Sequence, residues 1–355
     1  MLNNEDSLRL NLLRFPLIVG VVFIHAYGAT LVFANKVIGA SENNFLSNFI
    51  QHLISEEIAR CAVPIFFLMS GYLFFNSEEW SKEIYFTKIK SRIKTLLIPF
   101  LFWNILILVV FSLAQSLPVT QNFFSGKKIL ISQYDLIDYI KAVFGIGRMP
   151  VSYQFWFIRD LIALSLLTPI IYYLNKKFSI PFIFLLFILW VINFSETESC
   201  ESILFFVVGC YAGSKNRTLF TFDKYFSVFL LSYCIIATAN TFFFDSEFYM
   251  YMRKLGIIIG SIVFLSSTKY LLSMPRINKV ILSLSSASFF VYAAHEPLLT
   301  IIKKISYKIL LPQNGILILS IYFCSAFLTI SILIYLYRIL SYHFPIFTAY
   351  ITGGR

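Results

Sequence analysis

Apolar runs of about twenty residues, separated by short polar segments, recur along the whole chain. Ten of them predict spanning helices, at roughly 12–34, 58–75, 96–117, 153–175, 178–194, 199–213, 222–244, 253–272, 282–302 and 314–339. In hydrocarbon a backbone must satisfy its own hydrogen bonds, which a helix does internally. The alternation over about ten residues that marks a membrane β-barrel strand is missing from these runs. The sixth run is short and is expected to be tilted or buried among other helices. The first holds Pro16 and His25 and is longer than the apolar part of a signal peptide, so it is expected to be retained as a helix. The expected fold is all-α, a polytopic transmembrane helical bundle of about ten spans.

Composition strengthens this reading. Of 355 residues, 58% are hydrophobic and only 13% charged, against roughly 25% charged in a soluble domain. Forty Phe and 21 Tyr are more bulk than a soluble core of this size can hide. The net charge of +11 sits in short loops beside the apolar runs, which reads as an orientation signal and contact with anionic membrane lipid rather than as a nucleic-acid surface. With the N-terminus in the cytoplasm, most Lys and Arg fall on the inner side, so both termini are expected there. Glu196, Glu198 and Glu201 then share one outer loop. The longest polar segment, 118–152, becomes an outer loop with Pro118, Gly126, Asp135, Asp138, Gly145, Gly147 and Pro150, and its stretch Tyr134–Phe144 is expected to form a short interfacial helix. The chain stops soon after its last span, so no soluble catalytic domain is expected there. Five scattered cysteines show no metal-ligand or disulfide spacing, and no metal is expected.

Ionisable residues at membrane depth are costly and mark cavities or partners. Arg14 lies near the inner end of the first run and His25 well inside it. Eleven residues turn a helix by about 1100°, three turns plus ~20°, so both project from one face roughly 16 Å apart. Either this stripe lines a polar track, or Arg14 snorkels to headgroups while His25 bonds a neighbouring helix. A neutral imidazole suits activation of a hydroxyl near neutral pH. Ser70 lacks a nucleophile-elbow context, and the run Pro64–Tyr72 around it reads first as packing. Lys88, Lys90, Arg92 and Lys94 crowd the inner edge, either as anchors or as a site for a phosphate-rich ligand. In the fourth run Trp156 fits an aromatic belt, and the adjacent Arg159 and Asp160 diverge by about 100° and are expected to pair with other helices. In the ninth, His295 and Glu296 precede Pro297; His295 either serves the function or satisfies carbonyls that the proline frees. His52 and His343 read as structural.

Taken together and in order, these pieces resemble the acyltransferase-3 family of bacterial membrane O-acyltransferases over nearly the whole chain. The resemblance rests on Arg14 and His25 in the first run, Pro64-Ile65-Phe66-Phe67-Leu68-Met69-Ser70-Gly71-Tyr72, Arg92-Ile93-Lys94-Thr95-Leu96-Leu97-Ile98-Pro99-Phe100, Phe155-Trp156-Phe157-Ile158 and Tyr292-Ala293-Ala294-His295-Glu296-Pro297. Two departures stand out. Many members carry two or more arginines in the basic loop, where this chain has Arg92 among lysines. Many also carry an attached SGNH-type esterase domain, which is not expected here, so the protein would act alone or pass the acyl group to a separate protein.

The resemblance implies a single integral-membrane acyltransferase domain over 1–355, in the bacterial inner membrane. An acyl-CoA, usually acetyl-CoA, would donate from the cytoplasm to a carbohydrate hydroxyl of the cell envelope, lipid-linked or at the surface. His25 would be the base or acyl relay, and Arg14 would hold the thioester end. Arg92, Lys94, Lys90 and Lys88 would steer the CoA phosphates. Trp156, Arg159, His295 and Glu296 would line the acceptor side. A glycan-lipid transporter or flippase, or a polysaccharide polymerase with its large outer loop, shares the many spans and intramembrane charges.

Overall fold

The computed structural model describes residues 4–33, 36–39, 44–75, 80–118, 120, 130–192 and 199–354. Part of the expected loop 118–152, including Gly126, lies outside them, as do Glu196, Glu198 and Arg355. Among the described residues the fold is all-α apart from one small hairpin. The chain runs through α1 (Asn4–Ala26), β1 (Thr30–Phe33), β2 (Lys36–Gly39), α2 (Phe45–His52), α3 (Ala62–Phe75), α4 (Lys82–Arg92), α5 (Ile98–Ser116), α6 (Leu136–Phe144) and α7 (Trp156–Leu166). It continues through α8 (Thr168–Val191), α9 (Ser199–Ser214), α10 (Phe226–Phe242), α11 (Tyr249–Leu272), α12 (Pro275–Ser285), α13 (Ser288–Leu310), α14 (Gly315–His343) and α15 (Pro345–Thr352).

Seven helical stretches among the described residues are long and apolar enough to cross a membrane: Asn4–Ala26, Phe45–Phe75, Lys82–Ser116, Thr168–Val191, Asp223–Phe242, Tyr249–Leu272 and Gly315–His343. A pair bent by 64°, α12 with α13, makes an eighth. The expected count of about ten is not reached by length and apolarity. The short sixth run is the 16-residue α9, as expected. The fourth and fifth runs are divided differently. The helix breaks at Leu167, where Pro169 has no N–H and crowds the carbonyl four residues back, so α7 has only 11 residues. The boundary expected near 175–178 is a kink inside α8, at Phe178 (φ −135°, ψ 36°).

The first span also shifts. It was expected over 12–34, but α1 starts at Asn4, where Glu5 and Asp6 suit the positive end of the helix dipole. It ends at Ala26, before Gly28 at φ +116°. The apolar residues beyond form an antiparallel strand pair, Thr30 opposite Gly39 and Leu31 opposite Ile38. A Cβ on Gly39 (φ +123°) would meet the Ala29 carbonyl at 2.2 Å, so only glycine closes this hairpin. His25 therefore lies in the last turn of its helix rather than well inside it.

The chain folds as two compact units. The first comprises Met1–Ile24, Leu53–Arg92 and Asp160–Ser288. Its tightest seam joins α3 and α9 through two glycines. A Cβ on Gly71 would stand 2.1 Å from the Phe206 carbonyl oxygen, and one on Gly209 would stand 2.1 Å from that of Leu68. Helix backbones touch there because neither residue has a side chain. Several charges in this unit are paired. Arg9 is buried and donates to both carboxylate oxygens of Asp223 at 2.6 and 2.8 Å, and to the Thr268 hydroxyl at 2.7 Å. Asn240 donates to the buried Glu57 at 2.6 Å, and Glu56 pairs with Arg60 at 3.0 Å and with Arg253 at 3.4 Å.

The second unit comprises His25–His52, Ile93–Arg159 and Phe289–Arg355. The indole of Trp103 donates to the Ile351 carbonyl at 3.0 Å and stacks edge-on against Phe290, joining α5 to α15 and α13. The short helix expected within Tyr134–Phe144 is present as α6. Asp135 and Asp138 cap its start reciprocally, and Gly145 at φ +69° ends it. Beneath it Leu108, Ile131 and Ala142 form a small core of their own.

Candidate active site

Helix α13 is interrupted where the sequence places a proline. Pro297 has no N–H, so the Ala293 carbonyl loses its helical donor. Gln154 supplies one from the turn before α7: its Nε2 donates to the Ala293 oxygen at 3.1 Å and to the Glu296 oxygen at 3.4 Å. The Tyr292 hydroxyl donates to the Gln154 carbonyl at 2.7 Å, fixing the same turn from the other side. Glu296 leaves the helical region (φ −104°, ψ 133°). It stands as the N-cap of the restarted helix, with Pro297 in the first-turn position that proline favours. Thr300, Tyr153 and Lys303 are the polar neighbours of its carboxyl group.

His25 joins this constellation from the end of α1. Its Nδ1 lies 3.1 Å from the Tyr153 hydroxyl, the two rings meeting edge-on with centroids 5.1 Å apart. The ring of His295 lies on another side, its centroid also 5.1 Å away. Buried Lys303 donates to the carbonyls of Ala26 at 2.5 Å and Tyr27 at 3.2 Å, the end of the helix that carries His25. His295 is fully buried. Its Nδ1 is 2.7 Å from the Tyr292 carbonyl, so the proton belongs on Nδ1, while Nε2 keeps a lone pair with no partner. His295 thus does bond a carbonyl near the proline, that of Tyr292. Two imidazoles, a phenol, a carboxylate and an ammonium occupy one corner of the second unit, an arrangement suited to moving a proton from a hydroxyl.

The remaining expected site residues fall elsewhere. Arg14 is half-buried on α1, the helix that carries His25. Arg92 and Lys88 lie one turn apart on α4 and reach the end of α3. Arg92 donates to the Ser70 hydroxyl at 3.1 Å and its guanidinium stands over the Phe74 ring, while Lys88 donates to the Phe74 carbonyl. Ser70, read from sequence as packing, thus holds a basic residue. Lys90 and Lys94 are exposed. Trp156 opens α7, immediately after the turn that presents Tyr153. Arg159 was expected to pair with another helix; it donates to the Gly145 carbonyl that follows α6, at 2.9 Å. His52 is buried with its Nδ1 3.5 Å from the Tyr27 hydroxyl, and His343 sits exposed in the last turn of α14. Among the described residues no cluster of three or more His, Cys, Asp or Glu is placed to hold a metal.

Tyr153 and Lys303 were not singled out from sequence. A tyrosine beside Trp156 reads as part of an aromatic belt, and a lysine after a span reads as a loop charge. The one available hint was polar spacing beyond Glu296: Thr300 and Lys303 follow at four and seven residues, one face of a helix.

Comparison with known proteins bears on what this site belongs to. The succinoglycan biosynthesis protein ExoH of Rhizobium meliloti (strain 1021) is 26% identical over 184 residues, covering 48% of this chain and 44% of that protein. The match thus spans less than half the length of that relative. No solved structure matches the chain significantly. The acyltransferase-3 family model, described as an acyltransferase domain, matches residues 7–337, a stretch that includes every element of the site, and the chain belongs to that family.

Proposed function

We propose that the protein is a membrane O-acyltransferase that moves an acyl group, an acetyl group by preference, from cytoplasmic acyl-CoA to a hydroxyl of a cell-surface or lipid-linked carbohydrate. The observation that carries this is His25, on the helix that also bears Arg14, set against Tyr153 and His295. Family membership supports the transferase over a transporter or polymerase. The succinoglycan role in the relative's name supports a carbohydrate acceptor.

In this reading His25 takes the proton of the acceptor hydroxyl as its oxygen attacks the thioester carbonyl. A sugar hydroxyl is a poor nucleophile without such a base. The carbon–sulfur bond breaks, the ester forms, and the proton passes to the leaving CoA sulfur, so the histidine returns to its starting state. Arg14 holds the thioester end, and Arg92, Lys94, Lys90 and Lys88 draw the CoA phosphates electrostatically. Trp156, Arg159, His295 and Glu296 line the acceptor side. The protein acts in the bacterial inner membrane, with both termini in the cytoplasm and 118–152 outside.

Mass spectrometry of envelope glycans from cells with and without the gene tests this. An ester-linked acyl mass that disappears with the gene, and returns with wild-type protein but not with His25→Ala, is the expected result. Identical glycans in the two strains would reject the proposal.

A further inference from the structure

We infer that Trp80, Tyr172 and Phe75 form an aromatic platform on which the adenine of the acyl-CoA stacks, with Lys88, Arg92 and Lys176 beside it for the nucleotide phosphates. The inference rests on the reading of acyl-CoA as the acyl donor and adds where its nucleotide end is held. Three segments of the first unit meet here: the end of α3, the stretch leading into α4 and the early turns of α8. Their rings lie close to parallel. Phe75 and Trp80 stack with centroids 5.1 Å apart and 30° between planes, and Trp80 and Tyr172 at 4.9 Å and 19°. Phe75 and Tyr172 are 5.8 Å apart at 11°. Phe75 is buried, whereas Trp80 and Tyr172 are half-buried and keep part of their surface open. Rings of an aromatic belt are spread around the lipid-facing surface at headgroup depth. These are gathered on one another, and Trp80 stands outside any helix.

The platform is pinned, and cations border it. The Tyr85 ring lies 5.8 Å from that of Trp80, and its hydroxyl donates to the Leu166 carbonyl at 3.2 Å, just before the helix break that opens α8. The start of α4 is thereby tied to the start of α8. Lys176, one turn beyond Tyr172, holds its ammonium 5.8 Å from that ring. Lys88 and Arg92 stand over Phe74 at 5.4 and 5.9 Å, and the Phe74 centroid is 6.4 Å from that of Trp80. Positive charge therefore reaches the rings from both α4 and α8. Helix α4 itself carries four basic residues against one carboxylate, Glu83. Flat apolar faces with cations at their margin match a ligand that is aromatic in one part and polyanionic in the next. A neutral sugar can stack on an indole but offers the cations no counter-charge. A nucleotide meets both demands, the base on the rings and the phosphates on Lys and Arg. In CoA the adenine and the phosphates sit together on one ribose, and the pantetheine arm is free to carry the thioester away from the platform.

The test uses the full-length protein in nanodiscs with two alternative acyl donors, acetyl-CoA and acetyl-phosphopantetheine, which lacks the adenosine end. Wild-type protein is expected to show a KM for acetyl-CoA at least about tenfold below that for the truncated compound. Trp80→Ala and Tyr172→Ala are each expected to raise KM for acetyl-CoA about tenfold and to hold KM for the truncated compound within about twofold, a split that general misfolding does not produce. Trp80→Phe keeps a ring and is expected to stay within about threefold of wild type with acetyl-CoA. Lys176→Gln, at an exposed position, is expected to raise KM for acetyl-CoA several-fold, less so at high salt. Equal KM values for the two compounds in wild-type protein would overturn the inference with no variant needed. A parallel rise for both compounds in Tyr172→Ala and Trp80→Ala would do the same. Transfer from neither compound by wild-type protein would reject the acyl-CoA reading itself, and equilibrium binding of adenosine 3′,5′-bisphosphate then decides the platform. Binding weakened about tenfold in Trp80→Ala upholds it, and binding that is absent from wild type or unchanged in the variant rules it out.

Discussion

An imidazole in the last turn of a helix sits at the negative end of the helix dipole, beside carbonyls that have no intrahelical donor. In α1 those carbonyls are served by Lys303, so His25 is left to face Tyr153 and His295. Replacing His25 by Ala is expected to lower acyl transfer by about 10²–10⁴-fold, the usual contribution of a general base, with the protein still inserted and abundant. Quantitative blotting of membranes beside glycan analysis separates the two. Arg92→Ala is expected to raise KM for acetyl-CoA several-fold and to spare KM for the acceptor, measured with purified protein; an unchanged donor KM would count against the phosphate role. At this scale the sequence was informative about residue type and less so about surroundings. His25 and His295 stood out because ionisable groups are rare in apolar runs. That they meet, and that Tyr153 and Lys303 meet them, depends on contacts between elements more than a hundred residues apart.

At the scale of elements, the informative events are the breaks. Helix α13 yields at Glu296, and the exposed carbonyl is repaired by Gln154. Gln154→Ala is expected to cost about 1–3 kcal/mol by leaving buried carbonyls without a donor, and to lower kcat as the Tyr153 turn loosens; thermal unfolding in detergent together with kinetics checks both. Pro297 marked this break in the sequence, whereas the one at Leu167, just before Pro169, fell inside a span expected over 153–175. The end of α1 was harder to read. Ala29–Phe33 is apolar enough to extend a span, and β-branched residues there are compatible with helix in lipid. The decision falls to Gly28, whose left-handed backbone has no signature apart from the glycine itself. Two runs were misdivided for a related reason: hydropathy marks how much apolar length exists, and local backbone chemistry decides where it bends.

At the scale of the molecule, membrane embedding and the all-α fold were evident from the recurrence of apolar runs, and the order of the motifs pointed to the family. Charge pairing was not evident. Arg9, outside the apolar run expected from residue 12, lies buried with a bidentate partner 214 residues further along the chain. Asp223→Ala would leave that guanidinium buried with only weaker acceptors and is expected to cost about 3–5 kcal/mol. The loss should appear as a lower Tm in detergent and change little with salt, because the pair is shielded from solvent ions.

The glycine seam between α3 and α9 has a consequence for genetics. At each of its two positions the obstacle to a larger residue is the main chain of the opposite helix, which every amino acid carries alike. A loss-of-function allele that enlarges Gly71 should therefore yield no suppressor by trimming a residue of the facing helix, since the atoms it meets there, the Phe206 carbonyl and the Cys210 nitrogen, are main chain. Revertants from such a screen should restore glycine itself.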